Sequence, residues 1–254
     1  MIRENISKIK ERISSICSKS NRDSDSIAIV AVSKGRTIQQ IREAIEAGIT
    51  DIGENRVQEA IIKYNELRTC ELANLRTIKW HMVGHLQTNK VKDAVRIFDL
   101  IQSVDSIRLA SEMDKQAAKI NKIQDILVEV KVSSEATKFG FEPEEVIKAT
   151  KEISQFKNLN IKGLMTIAPI VDDPEKARPY FRMLKELKDR INGQRLPAGQ
   201  AGATPACRSG RGNARLPDGQ GQRILSMGMT DDFEAAIEEG SNMIRLGRAI
   251  FSRQ

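Results

Sequence analysis

Strand-like and helix-like patterns alternate along the whole chain, and that alternation restricts its architecture more than any single motif. Short, almost continuously apolar and β-branched runs, beginning with "IAIVAVS" at 27–33, are each followed by an amphipathic helical pattern. Runs of that kind read as strands buried on both faces, as parallel sheets require. Strands are expected at 27–33, 49–54, 78–84, 100–104, 126–133, 160–168, 223–229 and 242–251. The helix signals fit between them. Thr37 and Gln40 form a capping-box pair, and Gly48 and Gly240 stand where helices end. Asp105 or Ser106 opens the helix after the fourth strand, and Pro143 falls where a first helical turn tolerates proline. Counting a short last helix or tail, eight β/α repeats in 254 residues predict an α/β fold. Its form is a closed (β/α)8 TIM barrel, a single domain over 1–254 with an extra N-terminal helix. An open doubly wound sheet is the competing arrangement, but no G-x-G-x-x-G turn follows the first strand.

One segment breaks the rhythm. Residues 193–223 hold seven of the sixteen glycines and three of the seven prolines, and repeat "RLPAGQAG" as "RLPDGQGQ". So few apolar groups cannot offset the entropy of ordering, which predicts a flexible Gly/Pro/Arg-rich insertion between the sixth repeat's helix and the seventh strand. It carries five arginines against one acid, about +4 of the net +7, so the folded body is close to neutral. A basic segment could meet nucleic acid, but this one lacks aromatics for base stacking, and no nucleic-acid partner is expected. No apolar run reaches membrane-span length, and the charged N-terminus has no signal-peptide core. Cys17, Cys70 and Cys207 have no metal-ligand spacing. A cytoplasmic protein is expected.

In a barrel of this type, polar residues at the C-terminal ends of strands make the active site. Lys34 closes the first strand, Glu54 and Asn55 follow the second, and His81 and His85 flank the third. Asp105 follows the fourth strand, Lys131 and Lys138 the fifth, and Met165 lies in the sixth. Ser226 and Gly228 lie in the seventh, Arg245 and Gly247 in the eighth. A lysine at a strand end can snorkel to water. Against an apolar wall it is instead desolvated, and its neutral amine can then attack a carbonyl and form a Schiff base. The loops after strands seven and eight, "SMGMTDD" and "RLGRAIF", have the small residues and turns that can hold a phosphate on backbone N–H groups, although ordinary turn glycines look the same. An imine-forming lysine opposite a phosphate cradle suggests pyridoxal 5′-phosphate. His81 and His85 have an i, i+4 spacing, but Gly84 and the strand pattern exclude the helix that zinc binding would need, and no metal is expected.

The stretches "AVSKGRT", "IGENRVQEA", "WHMVGHLQTNK", "SVDS", "KFGF", "KGLMTIA" and "LSMGMTDDFEAAIEEGSNMIRLGRAIF" run in order through nearly the whole chain. In them the chain resembles the YggS/PROSC family of pyridoxal phosphate homeostasis proteins, barrels like the N-terminal domain of alanine racemase. The resemblance implies a cofactor held as a Schiff base on Lys34, with phosphate contacts from Ser226, Gly247 and Arg248. It also implies Arg245 near the pyridine nitrogen and Asn55 in the pocket. From position alone, His81 is expected to pack or hydrogen-bond behind the cofactor and Met165 to join the same mouth. The insertion, Ser252 in place of a usual glycine, and Met82 in place of a usual aromatic depart from the family pattern.

A carrier and an enzyme are both conceivable on this frame. Two-base racemisation needs a second acid/base opposite the lysine, typically a tyrosine. Tyr64 and Tyr180, the two tyrosines, fall in helical patterns, and the β-domain that supplies that group in alanine racemases has no counterpart here. A guanidinium at the pyridine nitrogen would also weaken the electron sink. The expectation is a monomeric, non-catalytic protein that holds pyridoxal phosphate and passes it to apo-enzymes; a racemase-like enzyme is the alternative.

Overall fold

Each apolar run expected to be a strand is one, and the eight pair in chain order, all parallel, into a closed barrel. The computed structural model describes residues 1–68, 78–133, 138–193 and 224–252. The strands are β1 (Ala28–Val32), β2 (Asp51–Glu54), β3 (Lys79–Met82), β4 (Leu100–Val104), β5 (Gln124–Glu129), β6 (Leu159–Met165), β7 (Ile224–Ser226) and β8 (Met243–Leu246). The helices are α1 (Ile2–Lys19), α2 (Ile38–Glu46), α3 (Val57–Arg68), α4 (Val91–Ile97), α5 (Ile107–Ala118), α6 (Val146–Ile153), α7 (Arg178–Gly193), α8 (Phe233–Glu238) and α9 (Arg248–Phe251). Residues 194–223, which hold the expected insertion beyond Gly193, lie outside the described residues.

Strand pleating separates two apolar layers. Val30, Val83, Leu100, Leu127, Met165 and Met243 fill the barrel. The alternate residues, such as Ala31, Ile52, Ile101 and Ile126, face outward into a larger core beneath the helices. The local signals hold where chemistry fixes them. Thr37 caps α2 in a reciprocal box with Gln40, and Gly48 and Gly240 turn the chain with positive φ after α2 and α8. Ser106 caps α5.

Several boundaries differ from expectation. β6, β7 and β8 stop at Met165, Ser226 and Leu246 rather than at 168, 229 and 251. Residues 248–251, expected as the end of the last strand, form α9 because the chain turns at Gly247. Pro143 lies in a turn three residues before α6 rather than in its first turn. β5 ends at Glu129 instead of running on to Ser133. Beyond it Val130 bridges Phe141, and the Lys131 N–H donates to the Phe141 carbonyl at 2.9 Å, so the chain leaves the ladder.

α1 completes the ring. The eighth repeat's helix, α9, has only four residues, and α1 packs across α8, α9 and α2 in the space that a longer one would take. Its buried stripe of Ile2, Ile6, Ile9, Ile13 and Ile16 recurs at helical spacing. Asn5 is buried in that stripe, and its Nδ2 donates to the carbonyls of Ile250 and Ser252 at 3.0 and 3.1 Å, tying the two ends of the chain together.

Candidate functional site

The turn after β1 is clamped from below. Ala28, Val30 and Val32 face the barrel interior, and the alternation carries Lys34 onto the same side at the mouth. Ser33, pointing the other way, is buried. Lys63 of α3 sends Nζ to the Ser33 carbonyl, to Glu54 Oε1 and to Glu59 Oε1, each at 2.6 Å. Ser33 Oγ also donates to Glu54, and the Gly35 N–H donates to Glu59 Oε1 at 2.7 Å. The residues on both sides of Lys34 are thus fixed through one buried ammonium. Burial holds the Glu54 carboxyl above its ordinary range, with the bonds from Lys63 and Ser33 pulling the other way. Lys34 itself is exposed and has no hydrogen-bond or ion-pair partner among the described residues. The expectation of a desolvated ammonium is therefore corrected: β1 stops at Val32, and the turn lifts the side chain out of the apolar wall.

Inside the barrel a polar chain crosses the core. Arg245 Nη1 donates to Ser226 Oγ at 2.6 Å, and Ser226 Oγ donates to Gln102 Oε1 at 2.6 Å. Gln102 Nε2 lies 2.9 Å from His81 Nδ1, and His81 Nε2 lies 2.9 Å from Asp51 Oδ1. With the Gln102 amide turned so that Oε1 accepts from Ser226, its Nε2 donates to His81 Nδ1, and the His81 proton then sits on Nε2, toward Asp51. Burial opposes ionisation of Asp51, but the bonds from His81 and Thr50 prevail and hold its carboxyl below the usual range. Arg245 is wholly interior, with Nη2 on the Thr166 carbonyl at 2.7 Å, and burial lowers its pKa to about 10.

Glu129 ends β5 on the inner face, two residues beyond Leu127. Burial pushes its carboxyl up to about 7, with Asp105 adding to the rise and Arg245 and Lys138 opposing it. Its Oε2 is buried without a hydrogen-bond partner, as is Asn55 Oδ1 after β2. Beside Asn55 lies a cavity of about 370 Å³ whose lining includes Met82, Gly84, His85 and Lys90. A Cβ at Gly84 would come 2.5 Å from the Asn55 carbonyl, so only glycine lets the two loops approach this closely.

Of the residues read from the sequence, Lys34, Asn55, Met165, Arg245 and Gly247 gather at the mouth or in the layer beneath it. A Cβ on Gly247 would touch the Val32 carbonyl at 3.4 Å, beside the β1 turn. His81 is buried within the polar chain, and Ser226, in register with Met165, has its hydroxyl already engaged on both sides. The Arg248 side chain pairs with Asp231 on the surface and is 70% exposed, which leaves its backbone N–H as the group the phosphate reading invokes. His85 separates from His81, bonding Asp105 at 2.8 Å and stacking on Phe139. Gln102, Glu129, Asp51 and Lys63 went unread. The available signal was a polar residue inside an apolar strand, as in "LIQSV" and "ILVEV". Among the described residues, no group of three or more His, Cys, Asp or Glu could hold a metal ion, and no helix is long and apolar enough to cross a membrane.

Comparison with known proteins agrees with this geometry. The model of the alanine racemase N-terminal domain matches residues 3–214. A relative from Aquifex aeolicus, named pyridoxal phosphate homeostasis protein, is 38% identical over 251 residues, 99% of this chain and 97% of its own. The chain belongs to the pyridoxal phosphate homeostasis protein family. Two solved structures extend the likeness to the whole barrel. A protein from Bifidobacterium adolescentis superposes with a TM-score of 0.84 at 33% identity, covering 98% of this chain and 94% of its own. PipY of Synechococcus elongatus, a structure with PLP bound, superposes with a TM-score of 0.77 at 30% identity, covering 99% of this chain and 100% of its own. Within this family frame, the mouth described above is the candidate site.

Proposed function

We propose that this protein binds pyridoxal phosphate at the barrel mouth, with Lys34 Nζ as the point of attachment, and acts in homeostasis of that cofactor rather than in turnover of amino acids. The observation that carries the reading is the full-length likeness to PipY, whose structure holds PLP. The residues present fit such a group. An exposed amine free of partners stands on a clamped turn, where attack on an aldehyde needs no side chain to be displaced. Asn55 Oδ1 is buried without a partner and faces the same end of the barrel. Gly247 leaves backbone bare beside the β1 turn. When bound, pyridoxal phosphate supplies a reactive aldehyde and an electron-withdrawing ring.

The chain's own residues favour holding over turnover. Arg245, pinned by Ser226 and Thr166, remains a cation and a donor at neutral pH, so a ring nitrogen next to it would stay unprotonated. Tyr64 and Tyr180 are on outer helices, Tyr64 packed edge-on against Trp80 at 5.7 Å, and neither can serve as a second base at the mouth. Ser226 acts by orienting Arg245, its hydroxyl held by Arg245 and Gln102 and its backbone paired with β6. A monomer working in the cytoplasm and passing its cargo to apo-enzymes is consistent with this arrangement. Two measurements test the reading. Added pyridoxal phosphate should give a yellow complex with the wild type and none with Lys34→Ala. Alanine should not be racemised by the loaded protein; appreciable turnover would overturn the carrier reading in favour of the racemase-like one.

A further inference from the structure

Glu129 is a buried carboxyl at the end of β5, and its Oε2 has no hydrogen-bond partner. A buried carboxyl with an unpartnered oxygen is expensive in the interior. Its surroundings do not relieve it. From the end of β4, Asp105 faces it but is bonded to His85 at 2.8 Å. Arg245 of β8 spends its fork on Ser226 and Thr166, with Asp232 as a further charge behind it. Lys138, in the loop after β5, reaches the Ala168 carbonyl at 3.4 Å, and Lys131 pairs with Glu142 at 3.0 Å. From β6 the register partner is Met165, which has no charge to offer. Every neighbouring charge is already engaged, and Glu129 retains a 6% exposure at the C-terminal end of its strand.

We infer that Glu129 is a contact residue of the site proposed above, offering a protonated carboxyl to an acceptor oxygen of bound pyridoxal phosphate and opposing the ligand when ionised. The inference rests on the binding reading. A neutral acid is a donor, and the ligand is an anion rich in acceptors, so protonated Glu129 satisfies its own orphan oxygen while ionised Glu129 adds like charge. The site therefore holds its cargo more tightly at low pH than the lysine chemistry alone would dictate. Release is favoured as pH rises through neutrality.

Glu129→Gln keeps the shape and the donor and removes the charge. Pyridoxal phosphate is titrated into wild type and Glu129→Gln at about pH 6 and about pH 9. Ionisation of Lys34 and of the ligand is common to both proteins and cancels in the ratio of their affinities. The expected result is near-equal affinity at the lower pH and a wild type that binds roughly tenfold more weakly than the variant at the higher, for each unit by which binding raises the carboxyl's pKa. A ratio unchanged by pH would overturn the inference. A wild type that takes up no pyridoxal phosphate at either pH would instead sink the binding reading, which keeps the two failures distinct. Should the variant not fold, infrared spectra of the wild type decide: loading at about pH 8 must increase the protonated-carboxyl band, and an unchanged band contradicts the assignment.

Discussion

Glu54 and Glu129 each close a barrel strand, and their surroundings treat one residue type in two ways. Glu54 is fully buried but receives an ammonium and a hydroxyl; Glu129 is nearly as buried and receives neither. Burial lifts both, and Glu129 reaches about 7 against 4.5 in the unfolded chain. Because the folded state holds that proton more tightly, Glu129 contributes stability that is fully present below pH 4.5 and is lost as pH rises through about 7. Glu129→Gln should remove this slope: denaturant unfolding of wild type relative to the variant should show a loss on the order of 3 kcal/mol between about pH 4 and about pH 8. Parallel profiles for the two proteins would contradict the burial argument. Residues of this kind were hard to read in advance. A lysine or glycine at a strand end has a position that suggests a role, whereas Glu129 looked like the middle of a strand extending to Ser133. Only the departure of the chain at Val130 makes it an end residue.

Elements were most legible where local chemistry decides them. The α2 capping box, the positive-φ glycines after α2 and α8, and the Ser106 cap are all short-range events, and each stands where the spacing put it. The ends of β5 and α6 depend on a bridge between Val130 and Phe141, eleven residues apart, and no local pattern reveals it. The same limit hid the clamp from α3 to the β1 turn, since Lys63 sits within an unremarkable helical stretch. That clamp makes a prediction. Lys63→Met leaves Glu54 without its ion partner in a buried site and should cost about 3–5 kcal/mol. Pairing it with Glu54→Gln should recover much of that stability but not the fixed geometry of residues 33–35. Thermal unfolding measures the first effect, and the rate of pyridoxal phosphate uptake measures the second. If the double variant takes up the ligand like the wild type, Lys63 is structural only and does not position Lys34.

The whole molecule followed from strand–helix alternation because a parallel sheet of eight such units closes with few alternatives. What alternation left unsaid is how the ring is completed: α1, read simply as an addition, fills the place beside the four-residue α9, and Asn5 joins chain start to chain end. Barrel closure also explains why residues from β1, β2, β5 and β8 share one mouth although they are far apart in sequence. Lys34 is central to that convergence, and one chemical experiment addresses it directly. The protein is loaded with pyridoxal phosphate, reduced with borohydride, digested and mapped by mass. The account predicts a pyridoxyl group on the peptide carrying Lys34. Absence of any adduct, or a label fixed on another lysine such as Lys63, would contradict it.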